Sequence, residues 1–414
     1  MRARFLLGAV GVVGGLFMSA CSSSDVVVTN TPVPAISGQA GSFDNIEIDQ
    51  RNHLLYVSDR TNKGVDVFDV AAPQAKYLTT ITMPSSPNGL AISSDYRLYV
   101  GITGGSVAVV DIKKGSSTLN TVVAEVKTGG AGVDLIEYNG PKHTVYASNG
   151  SDGVITSFDT LTNEVKDHFK VGFPLEQPRF NDADGLLYVT SPDADALFQI
   201  DPKDGTIKNN FALGGCHPTG LALNPQSKTA LIACKTYVLS RHLATGKTEK
   251  FDQVVGGDIV TYNATVDRFF VASPHKSRPS VIGMFGGNPI AYLASIAAPG
   301  SGNSATLDEA NDVVYSPDTR ANKSGIAGTA RPKSLEGPTP VSIAIYAAIA
   351  IVFGLVFLFV MRSGDPVRRR ASQAARVAEA VPAVKPLRSW RRSPKVDPTI
   401  EGPPLPKEPD LTHK

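Results

Sequence analysis

Tryptophan occurs once and cysteine three times in 414 residues. That scarcity excludes a disulfide-dense scaffold, a Cys-x-x-Cys-His haem attachment and any zinc cluster of thiolate type, because the cysteines are too few and too far apart. Excess charge of either sign is lacking as well. Forty basic residues face 38 acidic ones, and a net charge of +2 argues against a nucleic-acid-binding body. There is no P-loop, no Gly-x-Ser-x-Gly elbow and no His-Glu-x-x-His, and the seven histidines are scattered. The string Gly129-Gly130-Ala131-Gly132 lies between strand-like segments rather than before a helix, which is the wrong context for a phosphate cradle.

What is present is a period. Short apolar strands recur as Leu55-Tyr56-Val57-Ser58, Leu98-Tyr99-Val100-Gly101, Val145-Tyr146-Ala147-Ser148, Leu187-Tyr188-Val189-Thr190, Leu231-Ile232-Ala233-Cys234, Phe269-Phe270-Val271-Ala272 and Val313-Val314-Tyr315-Ser316. Their centres lie 43, 47, 42, 44, 38 and 45 residues apart. That spacing predicts an all-β chain folded as a seven-bladed β-propeller, one four-stranded blade per repeat. In blade one the four strands are expected at 45–49, 54–58, 65–69 and 77–83. The third strands of the first four blades end alike, at Asp69, Asp111, Asp159 and Asp201. Aspartate suits that place because its carboxylate can accept the backbone N–H two residues on. Blades five and six lack the mark. Blade seven lacks a fourth strand after a weak third one near 325–329, so Val26-Val27-Val28-Thr29 is expected to close the ring, giving a propeller over residues 25–330.

The two ends have their own logic. Arg2 and Arg4, an uncharged run from Phe5 to Ala20 and Ser19-Ala20 before Cys21 read as a signal segment over 1–20, resembling a bacterial lipobox with lipid on Cys21. Ordinary cleavage nearby, or an uncleaved anchor, would export the propeller equally. After a linker at 331–340, Val341 to Met361 runs 21 residues without a charge, long enough to cross a bilayer's hydrocarbon core as one helix. Arg362, Arg368, Arg369 and Arg370 follow, which orients the tail 362–414 to the cytoplasm and the propeller outside, with the chain in a bacterial plasma membrane. That tail is basic and then Pro-rich. It is expected to be disordered, with Trp390 and the neighbouring arginines against anionic headgroups.

Tyr188-Val189-Thr190-Ser191 and Tyr56-Val57-Ser58-Asp59, with the blade-opening strings Pro87-Asn88-Gly89-Leu90-Ala91 and Pro218-Thr219-Gly220-Leu221-Ala222, resemble the YVTN-repeat bacterial propellers. The resemblance covers about residues 26–330 and implies the propeller fold. It implies activity weakly, since that family includes surface-layer proteins, uncharacterised periplasmic proteins and relatives of lactonases. The transmembrane segment stands outside its pattern.

Cys216 and Cys234 flank the first two strands of blade five and come to similar height when that hairpin folds. In an oxidising compartment they are expected to bridge, worth roughly 3 kcal/mol in the chain-entropy account; two buried thiols are the alternative. Twelve residues before the strand centres stand Asp44, Asp134, Glu176 and Asp258, with Arg179 and His217 close by. At a channel mouth such carboxylates would repel one another unless Arg179 or a divalent cation such as calcium stood between them. The other reading has them cap backbone groups and face channel water. The expected function is a membrane-anchored extracytoplasmic module that binds or scaffolds a protein, as an accessory subunit of an envelope complex, without nucleic acid. The alternative is a metal-dependent hydrolase of lactone type, in which a metal held by those carboxylates would activate water.

Overall fold

Strands of three to eight residues whose inner members are apolar on both faces must be covered on both, and a ring of radially packed sheets achieves this. In the computed structural model, which describes residues 28–36, 38–275, 279–332 and 349–356, the chain forms seven antiparallel four-stranded sheets. Blades one to six follow one another in the chain, with innermost strands Phe43–Asp49, Pro87–Ile92, Ile136–Asn139, Pro178–Asn181, Leu221–Asn224 and Val260–Asn263. Blade seven opens with Thr306–Asp308. Blade one is complete as Phe43–Asp49, Leu54–Asp59, Gly64–Asp69 and Lys76–Thr82.

The core is seven separate clusters rather than one. Each lies between two neighbouring blades. In six blades the residue at the centre of the repeat sits in the cluster shared with the next blade: Tyr56, Tyr99, Tyr146, Tyr188, Phe270 and, across the closure, Tyr315; in blade five the spacing points to Ile232, which packs toward blade four, and its neighbour Leu231 takes the equivalent place. Tyr56, Tyr99, Tyr188 and Tyr315 are completely buried. Each such side chain contributes roughly 1.5–3 kcal/mol by leaving water. The Tyr188 hydroxyl donates to Asp184 at 2.7 Å, and that of Tyr315 to the Pro73 carbonyl at 3.2 Å, so those phenols do not forfeit their hydrogen bonds on burial.

The turn chemistry is equally regular. Asp69, Asp111, Asp159 and Asp201 accept the N–H groups of Ala71, Lys113, Leu161 and Lys203 at 2.9, 2.9, 2.8 and 3.0 Å. In blade five His242 occupies the corresponding place, and its Nδ1 accepts the Thr245 N–H at 3.2 Å. In blade six Gly286 does, opposite Arg268. Five outermost strands also carry a bulge at one shared place, which leaves Leu78, Val123, Lys166, Lys208 and Leu293 without a partner on the third strand. A bulge there twists the sheet edge away from flat pairing.

The fourth strand of blade seven comes from the N-terminal side. It is Val28–Pro32, paired antiparallel with Gly325–Ala330 from Val28 opposite Thr329 to Pro32 opposite Gly325. Residues 28 and 29 of the strand expected at 26–29 are in it, and it runs on to Pro32; residues 26 and 27 lie outside the described residues. The polar stretch Asn30-Thr31 belongs to it because both side chains find partners: Asn30 Nδ2 donates to Asp318 at 3.0 Å, and Thr31 Oγ1 to the Ala75 carbonyl of blade one at 2.9 Å. Cys216 and Cys234 form a disulfide with their Cα atoms 4.7 Å apart, and both are fully buried.

The chain divides after residue 337 into the propeller unit and a second unit, 338–414. Of the second, residues 349–356 are described: they are helical and every one is exposed, with Ile351 at 62% and Phe353 at 62%. Among the described residues no helix is long and apolar enough to cross a membrane. The signal segment 1–20, Cys21, the linker from 333, the remainder of 341–361 and the tail 362–414 lie outside the described residues.

Truncating the chain through Pro32 should lower the melting temperature by at least about 5 °C, the scale of a loss of two or more kcal/mol in a domain of this size. An unchanged thermal transition by circular dichroism would show that Val28–Pro32 does not close the ring.

Candidate functional site

The strand register places residues of the seven blades at matched heights along the central channel. Opposite the repeat centres, with Leu231 in that place in blade five, the innermost strands carry Glu47, Ala91, Glu137, Arg179, Ala222, Thr261 and Thr306. Three residues earlier in each blade come Asp44, Asn88, Asp134, Glu176, Thr219, Asp258 and Asn303. Every member of this earlier ring is polar. Six of the seven line one open cavity of 620 Å³, and Asn88 lines an adjoining recess together with Asp134 and Glu176. Asp134, Glu176, Thr219 and Asp258 are held identically, each backbone N–H donating to a second-strand carbonyl, at 2.8, 3.0, 3.0 and 2.7 Å.

Asp44, Asp134, Glu176 and Asp258 are therefore brought together at the mouth, and His217 joins them on the exposed rim. The His217 N–H donates to Asp195 at 2.8 Å, and its ring nitrogen lies 3.3 Å from the Pro192 carbonyl. Arg179 is not at the mouth. It belongs to the ring three residues further in, about 10 Å along the strand, and donates to Glu137 at 3.1 Å. Its residue type matched the cluster, but its side chain serves the deeper pair Glu47 and Glu137.

The cation that does stand among the mouth carboxylates is Arg60. Its guanidinium pairs with Asp44, and its Nε donates to Asn88 at 3.0 Å. Asn303 Nδ2 donates to the other Asp44 oxygen at 2.8 Å. Lys235 and Asp193 complete the charged lining. Arg60 and Lys235 lie in turns between second and third strands, which carry no period, so residue counting does not find them. Asn88 was hidden by a one-residue shortening of the blade-two hairpin: its strand centre pairs eight residues back, whereas those of the other blades pair nine back.

Burial is the first cause of the altered acidity here, and repulsion across the ring is the second. Asp44 is raised by burial, opposed by Arg60 and Asn303. Asp134 is pushed up to about 6 by burial and by Asp44, against Arg60. Glu176 is pushed up to about 8 by burial and by Asp134, Asp258, Asp44 and Asp193. Asp258 rises to about 7 from burial and from Asp44 and Asp134, against Arg60. Deeper in the channel Glu47 rises to about 7, since burial and Glu137 outweigh the pull of Arg179. Five acidic side chains at the mouth thus face Arg60 and Lys235, with His217 at the edge. The arrangement favours an incoming positive group. Among the described residues no three of His, Cys, Asp and Glu are placed to hold one metal ion.

No protein family model matches the chain, and no curated protein matches it. Among solved structures, a chain in the crystal structure of a mitotic checkpoint complex aligns with 74% of this chain and 91% of its own length, at a TM-score of 0.59 and 13% identity. Likeness at that identity shows the propeller fold alone.

The acidities set a pH dependence with a definite sign. Because the folded-state values are raised, the folded protein binds more protons than the unfolded chain between about pH 4 and pH 8, so stability falls as pH rises through that window. Solvent at the open mouth reduces the effect to on the order of 2 kcal/mol for the cluster. Urea unfolding at pH 5 and pH 8 should show it, and Glu176→Gln with Asp258→Asn should reduce the difference, Glu47 and Asp66 supplying the remainder. Equal stability of the wild type at both pH values would contradict the clustering.

Proposed function

We propose that this chain is a membrane-tethered, extracytoplasmic propeller of the YVTN-repeat kind that binds a protein partner, presenting to it the acidic mouth of its channel. The observation that carries the reading is the polar ring at Asp44, Asn88, Asp134, Glu176, Thr219, Asp258 and Asn303. The fold itself requires strand pairing and inter-blade packing, and neither needs carboxylates at this height. Net negative charge in a rigid open cup suits a basic segment, whose Lys or Arg side chains would take the place between carboxylates that Arg60 fills beside Asp44.

The tether rests on sequence together with one local feature. The run 341–361 is uncharged, and the helical residues 349–356 within it expose all of their apolar side chains, the pattern of a helix whose surroundings are lipid. The arginines after Met361 orient it with the propeller outside, and the disulfide in blade five agrees with an oxidising compartment. Lipid on Cys21 would be a second anchor to an already tethered domain.

The test is to solubilise the full-length protein from its native membranes in mild detergent and identify what travels with it. Stoichiometric co-purification of a membrane or envelope protein is expected, and the Asp134→Asn, Glu176→Gln, Asp258→Asn triple variant should lose it by at least tenfold while retaining its melting transition. A partner held equally well by the triple variant would remove the mouth from the reading. A solitary chain carrying one equivalent of calcium and hydrolysing lactones would replace it with the metal-dependent alternative.

A further inference from the structure

An outermost strand presents unpaired backbone N–H and C=O groups, and charged side chains, prolines and bulges are what keep such an edge single. Blades one to four and blade six share the bulge, and six blades carry a charge or a proline within the outer strand. Lys76 stands in blade one, Glu125 and Lys127 in blade two, Lys166, Asp167 and Lys170 in blade three, Lys208 in blade four, and Glu249 with Lys250 in blade five. The outer strand of blade seven is neutral but ends at Pro32 and has Asn30 and Thr31 bonded inward. Blade six differs. Its outer strand, Ile290–Ala297, reads IAYLASIA: eight residues, more than any other strand, with neither charge nor proline.

The bulge makes the contrast specific. At the bulged place, blades three and four put Lys166 and Lys208, each paired with the aspartate that ends its third strand, Asp159 at 3.0 Å and Asp201 at 3.2 Å. Blade six puts Leu293 there, half-buried beside Tyr292, with Ser295 and Ala297 exposed further along. Among the described residues no strand pairs with its outer side.

We propose that this edge pairs antiparallel with the same edge of a second copy of the chain, joining two propellers about a two-fold axis. In a two-fold antiparallel pairing each strand faces a reversed copy of itself, so a strand with net charge of one sign sets like charges near one another, at a cost for each directly opposed pair. A neutral eight-residue strand meets itself without that cost and gains backbone hydrogen bonds along the regular stretch that follows the bulge, with Tyr292 and Leu293 beside it. One strand pair buries less than the about 800 Å² per partner of a standard interface, so the dimer is a weak one. It leaves the mouth of both channels free, because the outer edge and the channel are opposite sides of a blade.

Sedimentation of the full-length protein in density-matched detergent, over about 1 to 100 µM, tests this. The wild type should pass from monomer to dimer within that range, and Leu293→Lys, which copies the residue of blades three and four at this place, should weaken association at least tenfold without moving the melting temperature. Ser295→Lys, at an exposed position of the same strand, should act in the same direction and keeps the result readable if the first variant folds poorly. A wild type that stays monomeric, a dimer untouched by both variants, or a one-to-one complex with a different protein that both variants abolish would each overturn self-pairing.

Discussion

The rest of the molecule depends on the contact between one large side chain per blade and the face of the next blade. Tyr56 reaches into the cluster shared with blade two, Tyr188 into that shared with blade five, and Tyr315 into that shared with blade one. No blade can cover this residue by itself, so the energy is realised only when neighbours are in place. A linear array would leave two faces bare. Closure by Val28–Pro32 ties the N-terminal side of the propeller to its last blade, and Thr31 reaches on to the first.

A ring held at its interfaces leaves the channel side of each innermost strand free of packing duty, and the charge accumulates there. The cost of placing four acids near one axis is lowered in three ways: burial keeps part of them protonated near neutral pH, Arg60 neutralises the most buried one, and side-chain amides donate into the cluster. Further in, Glu47 and Glu137 share Arg179. Gln177 stiffens the same region, donating to the Val260 carbonyl at 3.0 Å and accepting the Leu221 N–H at 2.7 Å, so that one side chain of blade four fastens blades five and six. The frame that carries the carboxylates is thereby fastened across blades four, five and six. Preorganisation of this kind strengthens attraction for a cation, because the repulsion is already present before the ligand arrives.

Fold was legible in this sequence because its energetics are periodic. Apolar centres at nearly constant spacing, aspartates at the ends of third strands and a missing strand in blade seven are each local signals of one repeated contact. The closing strand runs on through Asn30 and Thr31 to Pro32, an extension that apolar patterning does not signal, because it is decided by the partners those polar side chains find on Asp318 and Ala75. Within the mouth, the four carboxylates could be counted out because they share a repeat position. Arg179 was assigned to them by type and proximity in sequence, yet three residues along a strand is a different level of the channel. Arg60 and Lys235 are brought in by turns, whose reach a strand period does not encode. Asn88 was obscured by a single deleted residue in one hairpin.

The same reasoning separates what the repeat needs from what this chain adds. A position that repeats in kind, such as the aromatic centre or the third-strand aspartate, answers to the fold, since each blade faces the same packing and turn problem. A position that occupies the same place in every blade but varies in charge answers to something outside the blade. The mouth ring varies between carboxylate, amide and hydroxyl, and the outer bulge, which five of the blades share, varies between Leu78, Val123, Lys166, Lys208 and Leu293. Both are solvent-facing places where the backbone is already satisfied or excluded from the packing, so the fold is indifferent to their identity. Departures from sevenfold regularity at such places therefore mark direction on an otherwise symmetric disc: the acid-rich sector of the mouth, and the one outer strand with neither charge nor proline.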